Sequence, residues 1–213
     1  TRASIGVQSF LAEETRAVRR PQDPEDVARA LDMIRASGIE VFNLDLIYGM
    51  PGQTPQTWAR SLREAMRYEP EEVFLYPLYV RPLTGLDRSS RQWDDERMAL
   101  YAQGRDFLLD QGYAQLSMRL FRRVGLEATA GPVYRCQADG MVGLGAGARS
   151  YTRRLHYSPE YAVGRRQVVS LIEDFVARPD ARMAQAEYGF ELSADEQRRR
   201  WITLSVLSHE GLD

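Results

Sequence analysis

Apolar positions along the first part of the chain alternate between two periods. Arg2–Phe10 (RASIGVQSF) and Val41–Tyr48 (VFNLDLIY) switch side at every residue, as strands do. In the first, Ile5 and Val7 oppose Ser4, Gly6 and Gln8. In the second, Phe42, Leu44, Leu46 and Tyr48 oppose Asn43, Asp45 and Ile47. Glu72–Leu78 (EVFLYPL) predicts a third strand. Between the strands the period becomes helical. Pro24 opens a helix with Glu25 and Asp26 in its first turn, Val27, Ala30, Leu31 and Ile34 on one side, and Gly38 as the stop. Thr54 caps a second helix, Pro55–Tyr68, whose apolar positions are Trp58, Leu62, Ala65 and Met66. The order β-α-β-α-β with short links predicts a parallel sheet with right-handed crossovers.

Beyond Leu78 the pattern loosens. Val80–Asp95 reads as a connection, Asp95–Gln111 as a long helix ended by Gly112, and Tyr113–Phe121 as one further strand. Thr129–Gly140 is loop-like, Gly143–Tyr151 is a glycine-rich turn, Ser158–Arg178 is helical, and a charged helix starts after Leu192.

Asp45 stands out. A carboxylate in the middle of so apolar a strand is costly to bury unless it is paired or hydrogen-bonded. It is either satisfied by a neighbouring backbone group or Arg, or it faces a site. The turn that follows favours a site, because Gly49, Pro51 and Gly52 let a ligand approach the backbone closely. Three parallel strands fit an open doubly wound sheet or a barrel. Gln8, Asn43 and Asp45 each back onto apolar positions, which suits side chains pointing at a barrel axis, so half or more of a (β/α) barrel is expected.

The sequence has 213 residues, a net charge of −2 and one cysteine, Cys136. That length supports one good-sized core or one domain and part of a second. The charge gives no electrostatic reason to expect nucleic acid. One cysteine excludes an internal disulfide and a cysteine-held metal cluster within these residues, and Cys136 reads as a small buried hydrophobe. No run is long enough to span a bilayer and none reads as a secretory leader, so a cytoplasmic setting is expected. The chain starts almost inside a strand and stops just past a helix pattern, which reads as a fragment cut at both ends.

Three blocks in order, RASIGVQSF, NLDLIYGMPGQT and GLGAGARS, with Arg20 and YPL between them, resemble the radical SAM family of oxygen-independent coproporphyrinogen III oxidases and haem chaperones. The resemblance implies an α/β fold: a partial (β/α) barrel of the radical SAM type, followed by the start of a small C-terminal helical domain. Residues 1–90 would be the C-terminal half of the barrel, 91–178 an extension closing it, and 179–213 the truncated helical domain. The resemblance also implies S-adenosylmethionine as cofactor, contacted by Gln8, Arg20, Asp45, Tyr79 and Arg149, with the first four around a second such molecule. At Tyr79 and Arg149 the contact would run through the backbone. A carboxylate suits a ribose hydroxyl or a cationic amine, and an Arg suits the methionine carboxylate. ETRAVRR, which holds Arg20, is equally good as a solvated surface.

An iron–sulfur cluster is implied as well, on a three-cysteine motif upstream of Thr1. The 213 residues alone are therefore expected to be inert and to bind neither iron nor S-adenosylmethionine tightly. The expected partners are a small-molecule substrate, a porphyrinogen or haem, and an electron donor for the cluster.

Where relatives of this family carry Y-E-I-S-N-F, this chain has Leu116, Ser117, Met118, Arg119, Leu120 and Phe121, which puts the substrate in question. Two other readings remain open. In one, the parent protein is a haem chaperone, with His156 and His209 as poor candidates for haem ligands. In the other, it is a metal-independent barrel enzyme using Asp45 as general base. The glycines of GLGAGARS sit too late in the chain for a dinucleotide fingerprint.

Overall fold

The computed structural model describes residues 2–79, 95–126, 140–160, 165–186 and 188–206. Cys136, His209 and the connection at 80–94 lie outside them. The chain forms two compact units, Thr1–Pro132 and Val133–Asp213.

The first unit alternates β1 (Arg2–Gln8), α1 (Ala12–Ala17), α2 (Pro24–Ala36), β2 (Val41–Tyr48), α3 (Pro55–Met66) and β3 (Glu72–Pro77), then adds α4 (Asp95–Asp110), β4 (Tyr113–Gln115) and β5 (Leu120–Arg123). The sheet order is β1-β2-β3-β5-β4. β1, β2 and β3 are parallel, as the alternation predicts, and β5 and β4 are antiparallel to their neighbours. The result is a mixed α/β sheet that does not close into a barrel among the described residues.

Local chemistry fixes the helix starts. The Asp23 side chain accepts from the Glu25 amide ahead of Pro24, and Thr54 and Thr57 form a reciprocal capping box around Pro55. Phe42, Leu44, Leu46 and Tyr48 share one face of β2. With Val73 and Leu75 they pack on Leu31, Trp58, Leu62 and Leu108 to make the main core. The Trp58 indole N–H donates to the Leu100 carbonyl at 2.9 Å. Gly104 lets α4 close on that indole, because a Cβ there would sit 3.0 Å from both Trp58 Cζ2 and Leu75 Cδ1.

Three local expectations change. The segment ETRAVRR is helical at its start, in α1, and its Glu14 is buried. Tyr113–Phe121 is a hairpin, β4 and β5, because the Ser117 hydroxyl accepts from the Arg119 and Leu120 amides and turns the chain without Gly or Pro. In the second unit β6 (Ser150–Tyr151), β7 (Leu155–Ser158) and β8 (Tyr188–Glu191) form an antiparallel sheet that the sequence reading passed over. Its helices are α5 (Arg165–Ala177), α6 (Asp180–Met183) and α7 (Ala194–Val206).

Candidate functional site

Strand register sets the site. Ser4 pairs with Asn43, Gly6 with Asp45, Asn43 with Glu72, Asp45 with Phe74 and Ile47 with Tyr76. Partners in parallel strands point to the same side, so these residues share the face opposite the helices. At the N-terminal end of that face Glu72 is buried between two guanidinium groups. Arg2 Nε lies 2.7 Å from its Oε2, and Arg122 Nη1 lies 3.8 Å from its Oε1. Further along, Asn43 Nδ2 donates to Ser4 Oγ and to Asp45 Oδ1, the latter at 2.6 Å.

Asp45 is half-buried. Burial raises its pKa above the usual carboxylate value, while the Asn43 hydrogen bond and the Arg2 charge pull the other way. The outcome is a carboxylate that is incompletely compensated and still reachable from solvent.

Gln8 reaches the same place by a detour. β1 bulges between Gly6 and Gln8, and Gln8 takes φ 69°, a left-handed conformation unusual outside glycine. A Cβ on Gly6 would lie 2.3 Å from Gln8 Nε2, so the amide occupies the space a side chain at position 6 would fill. Gly6 is the register partner of Asp45, which puts the amide beside the carboxylate on the next strand. Gln8 is only 8% exposed. Period-2 reading gives its face correctly, but the bulge and the need for Gly6 are tertiary features.

The turn after β2 is held by residues to which the sequence reading gave no role. Gln53 Oε1 accepts from the Gly49 amide at 2.6 Å, and its Nε2 donates to Glu14 Oε2 at 3.0 Å. Ser9 Oγ donates to that same oxygen at 2.6 Å and lies 3.1 Å from Ser61 Oγ. Glu14 is 2% exposed and its Oε1 is buried without a hydrogen-bond partner. The cluster ties the end of β1 to the Gly-Pro-Gly turn. Gln53 was visible as part of the GMPGQT block. Glu14 had no signal, since a charged run normally means surface.

Arg20 follows α1 and is exposed. Tyr79 lies just beyond β3, is 61% exposed, and its hydroxyl accepts from Arg119 Nη2 at 2.7 Å. Arg149 belongs to the second unit, exposed, directly before β6 in a turn closed by Gly143 N donating to Ser150 Oγ at 3.1 Å. His156 packs edge-on against Tyr151, and its Nε2 is 2.9 Å from Arg200 Nη1. Burial and the Arg200 charge lower its pKa.

Among the described residues no group of three or more His, Cys, Asp or Glu side chains could hold a metal ion. These residues do not fit an iron–sulfur cluster. No helix among them is long and apolar enough to cross a membrane.

Residues 1–65, which contain Gln8, Arg20 and Asp45, match the radical SAM superfamily. The match covers β1, β2 and the helices up to α3. The chain is 31% identical to the haem chaperone HemW of Escherichia coli, over 69% of this chain and 39% of the relative. It is 28% identical to the oxygen-independent coproporphyrinogen III oxidase of Pseudomonas aeruginosa, over 98% of this chain and 47% of the relative. The solved coproporphyrinogen III oxidase HemN of Escherichia coli, described as a radical SAM enzyme, shares the fold. The TM-score is 0.75 at 24% identity, covering 97% of this chain and 49% of that one. The chain thus spans less than half the length of each of these relatives.

Proposed function

We propose that the open face of β1, β2 and β3 binds S-adenosylmethionine, in a protein that acts as a radical SAM oxidoreductase on a porphyrinogen-like substrate. The observation that carries this reading is the Gln8 amide lodged over Gly6 beside Asp45, both within the radical SAM match. The donor set fits the molecule. Asp45 accepts hydrogen bonds from ribose hydroxyls or faces the amino group, and the Gln8 amide donates or accepts next to it. Arg20, exposed just after α1, has the charge for a carboxylate. Gln53 and Glu14 tie the turn at the strand ends together, which fixes that edge of the face before a ligand arrives. When bound, S-adenosylmethionine supplies a sulfonium with activated carbon–sulfur bonds.

Saturation-transfer NMR tests the binding in the affinity range expected for these 213 residues, which is weak. S-adenosylmethionine signals should appear with the native chain and vanish with Asp45→Asn and with Gln8→Ala. Equal signals in all three proteins would sink the assignment.

A second reading, a haem chaperone, is favoured by the 31% identity to HemW. It predicts a shifted Soret band on haem addition that does not depend on S-adenosylmethionine. His156 is a poor ligand for it, because its Nε2 is taken by Arg200.

A further inference from the structure

Arg2, Arg119 and Arg122 border the open face among the described residues, and Arg119 is held differently. Arg2 and Arg122 share Glu72. The Arg119 guanidinium instead lies 5.5 Å from the ring centroid of Tyr76 and 5.5 Å from that of Tyr79, with Nη2 donating to the Tyr79 hydroxyl. No carboxylate among the described residues pairs with it. Its backbone is fixed too: the Arg119 carbonyl accepts from the Leu75 amide at 2.9 Å, and its own amide donates to Ser117 Oγ at 3.3 Å.

A guanidinium held by one hydroxyl and lying near two phenol rings keeps a restricted direction, and among the described residues only Nη2 spends a donor, on Tyr79. Such a fork is preorganised for a carboxylate, which accepts two parallel hydrogen bonds from it. Its place connects it to the site. Tyr76 stacks on Phe74 at 5.6 Å, and Phe74 is the register partner of Asp45. At strand spacing this puts the guanidinium on the order of 10 Å from the Asp45 carboxylate, toward the C-terminal end of β3.

We propose that Arg119 anchors a carboxylate of the substrate, and so selects acidic substrates at the mouth of this face. The inference rests on the reading that this face is the ligand site. The probe is coproporphyrin, a tetracarboxylate, with its tetramethyl ester as the uncharged control, titrated against the full chain by porphyrin fluorescence. Arg119→Gln should weaken the acid at least tenfold and leave the ester unchanged, while Arg119→Lys falls between. S-adenosylmethionine signals in saturation-transfer NMR should be the same in all three proteins.

Four results overturn the assignment: native-level acid binding by Arg119→Gln, equal losses for acid and ester, a loss confined to S-adenosylmethionine, or no acid binding by the native chain. If the native chain binds the acid through Arg119 but gives no S-adenosylmethionine signal, the anchor stands and the cofactor reading fails.

Discussion

The two ends of one sheet face are built on opposite plans. At the N-terminal ends of β1, β2 and β3, Glu72 and Arg122 are buried, Arg2 is partly buried beside them, and both arginines face the one acid. At the C-terminal ends, Asp45 is incompletely compensated, Gln8 is held in a left-handed conformation by a missing side chain, and Arg119 leans on rings rather than on an acid. Strand, spacing and face are common to both ends. The difference is what remains for a ligand to satisfy. One end spends its polar groups on the fold. The other keeps them, which is where parallel α/β sheets place their ligands.

The sharpest way to break this contrast is at Glu72. Removing the acid leaves two guanidinium groups facing a buried void, so Glu72→Ala should cost about 3–5 kcal/mol in chemical denaturation. A smaller loss would mean that the locked end is not locked. Next comes Gly49, at φ 78°, where a Cβ would lie 3.0 Å from the Arg97 side chain. Gly49→Ala should cost about 1–3 kcal/mol by the same measurement.

Gly6→Ala should act on the site more than on the fold. The new methyl group occupies the place of the Gln8 amide, so S-adenosylmethionine binding should fall about tenfold, roughly 1.4 kcal/mol, with a smaller change in melting temperature. Unchanged binding would show that the amide has no part in the site.

The smallest effect is at Asp45, and its sign runs against intuition. Because burial raises its folded-state pKa, the stability linked to its neutral form is full below the unfolded pKa of about 3.9 and is lost as pH rises through the higher folded value. Asp45→Asn should therefore match the native chain in acid and exceed it at neutral pH, by about 1 kcal/mol or less, or about 2–4 °C in melting temperature. Melting curves across that range check the crossover. A variant less stable than the native chain at neutral pH would show that Asp45 is a structural ion.

Much of this was legible in the residues. Alternation in VFNLDLIY reflects a strand buried on one side, and the register kept Asn43 and Asp45 on the face the pattern gave them. Helix starts at Pro24 and Pro55 were written in their caps. What escaped notice depends on contacts between distant segments. The β1 bulge exists because Gln8 can fold over a glycine two residues earlier. Glu14 looked like surface because neither Ser9 nor Gln53 is near enough in sequence to reveal its partners. The β4–β5 turn hid behind the Ser117 hydroxyl, which does work usually signalled by glycine. β7 and β8 are each only four residues long, too short for a period to declare itself.

The notch at Gly104 has an optical consequence. It seals Trp58 away from solvent at 0% exposure, whereas Trp201 in α7 stands 56% exposed. In a Trp93→Phe background, which leaves these two of the three indoles, iodide should therefore quench Trp201 and spare Trp58. The residual blue-shifted emission then reports whether α4 is seated, a gauge of that docking needing no added dye.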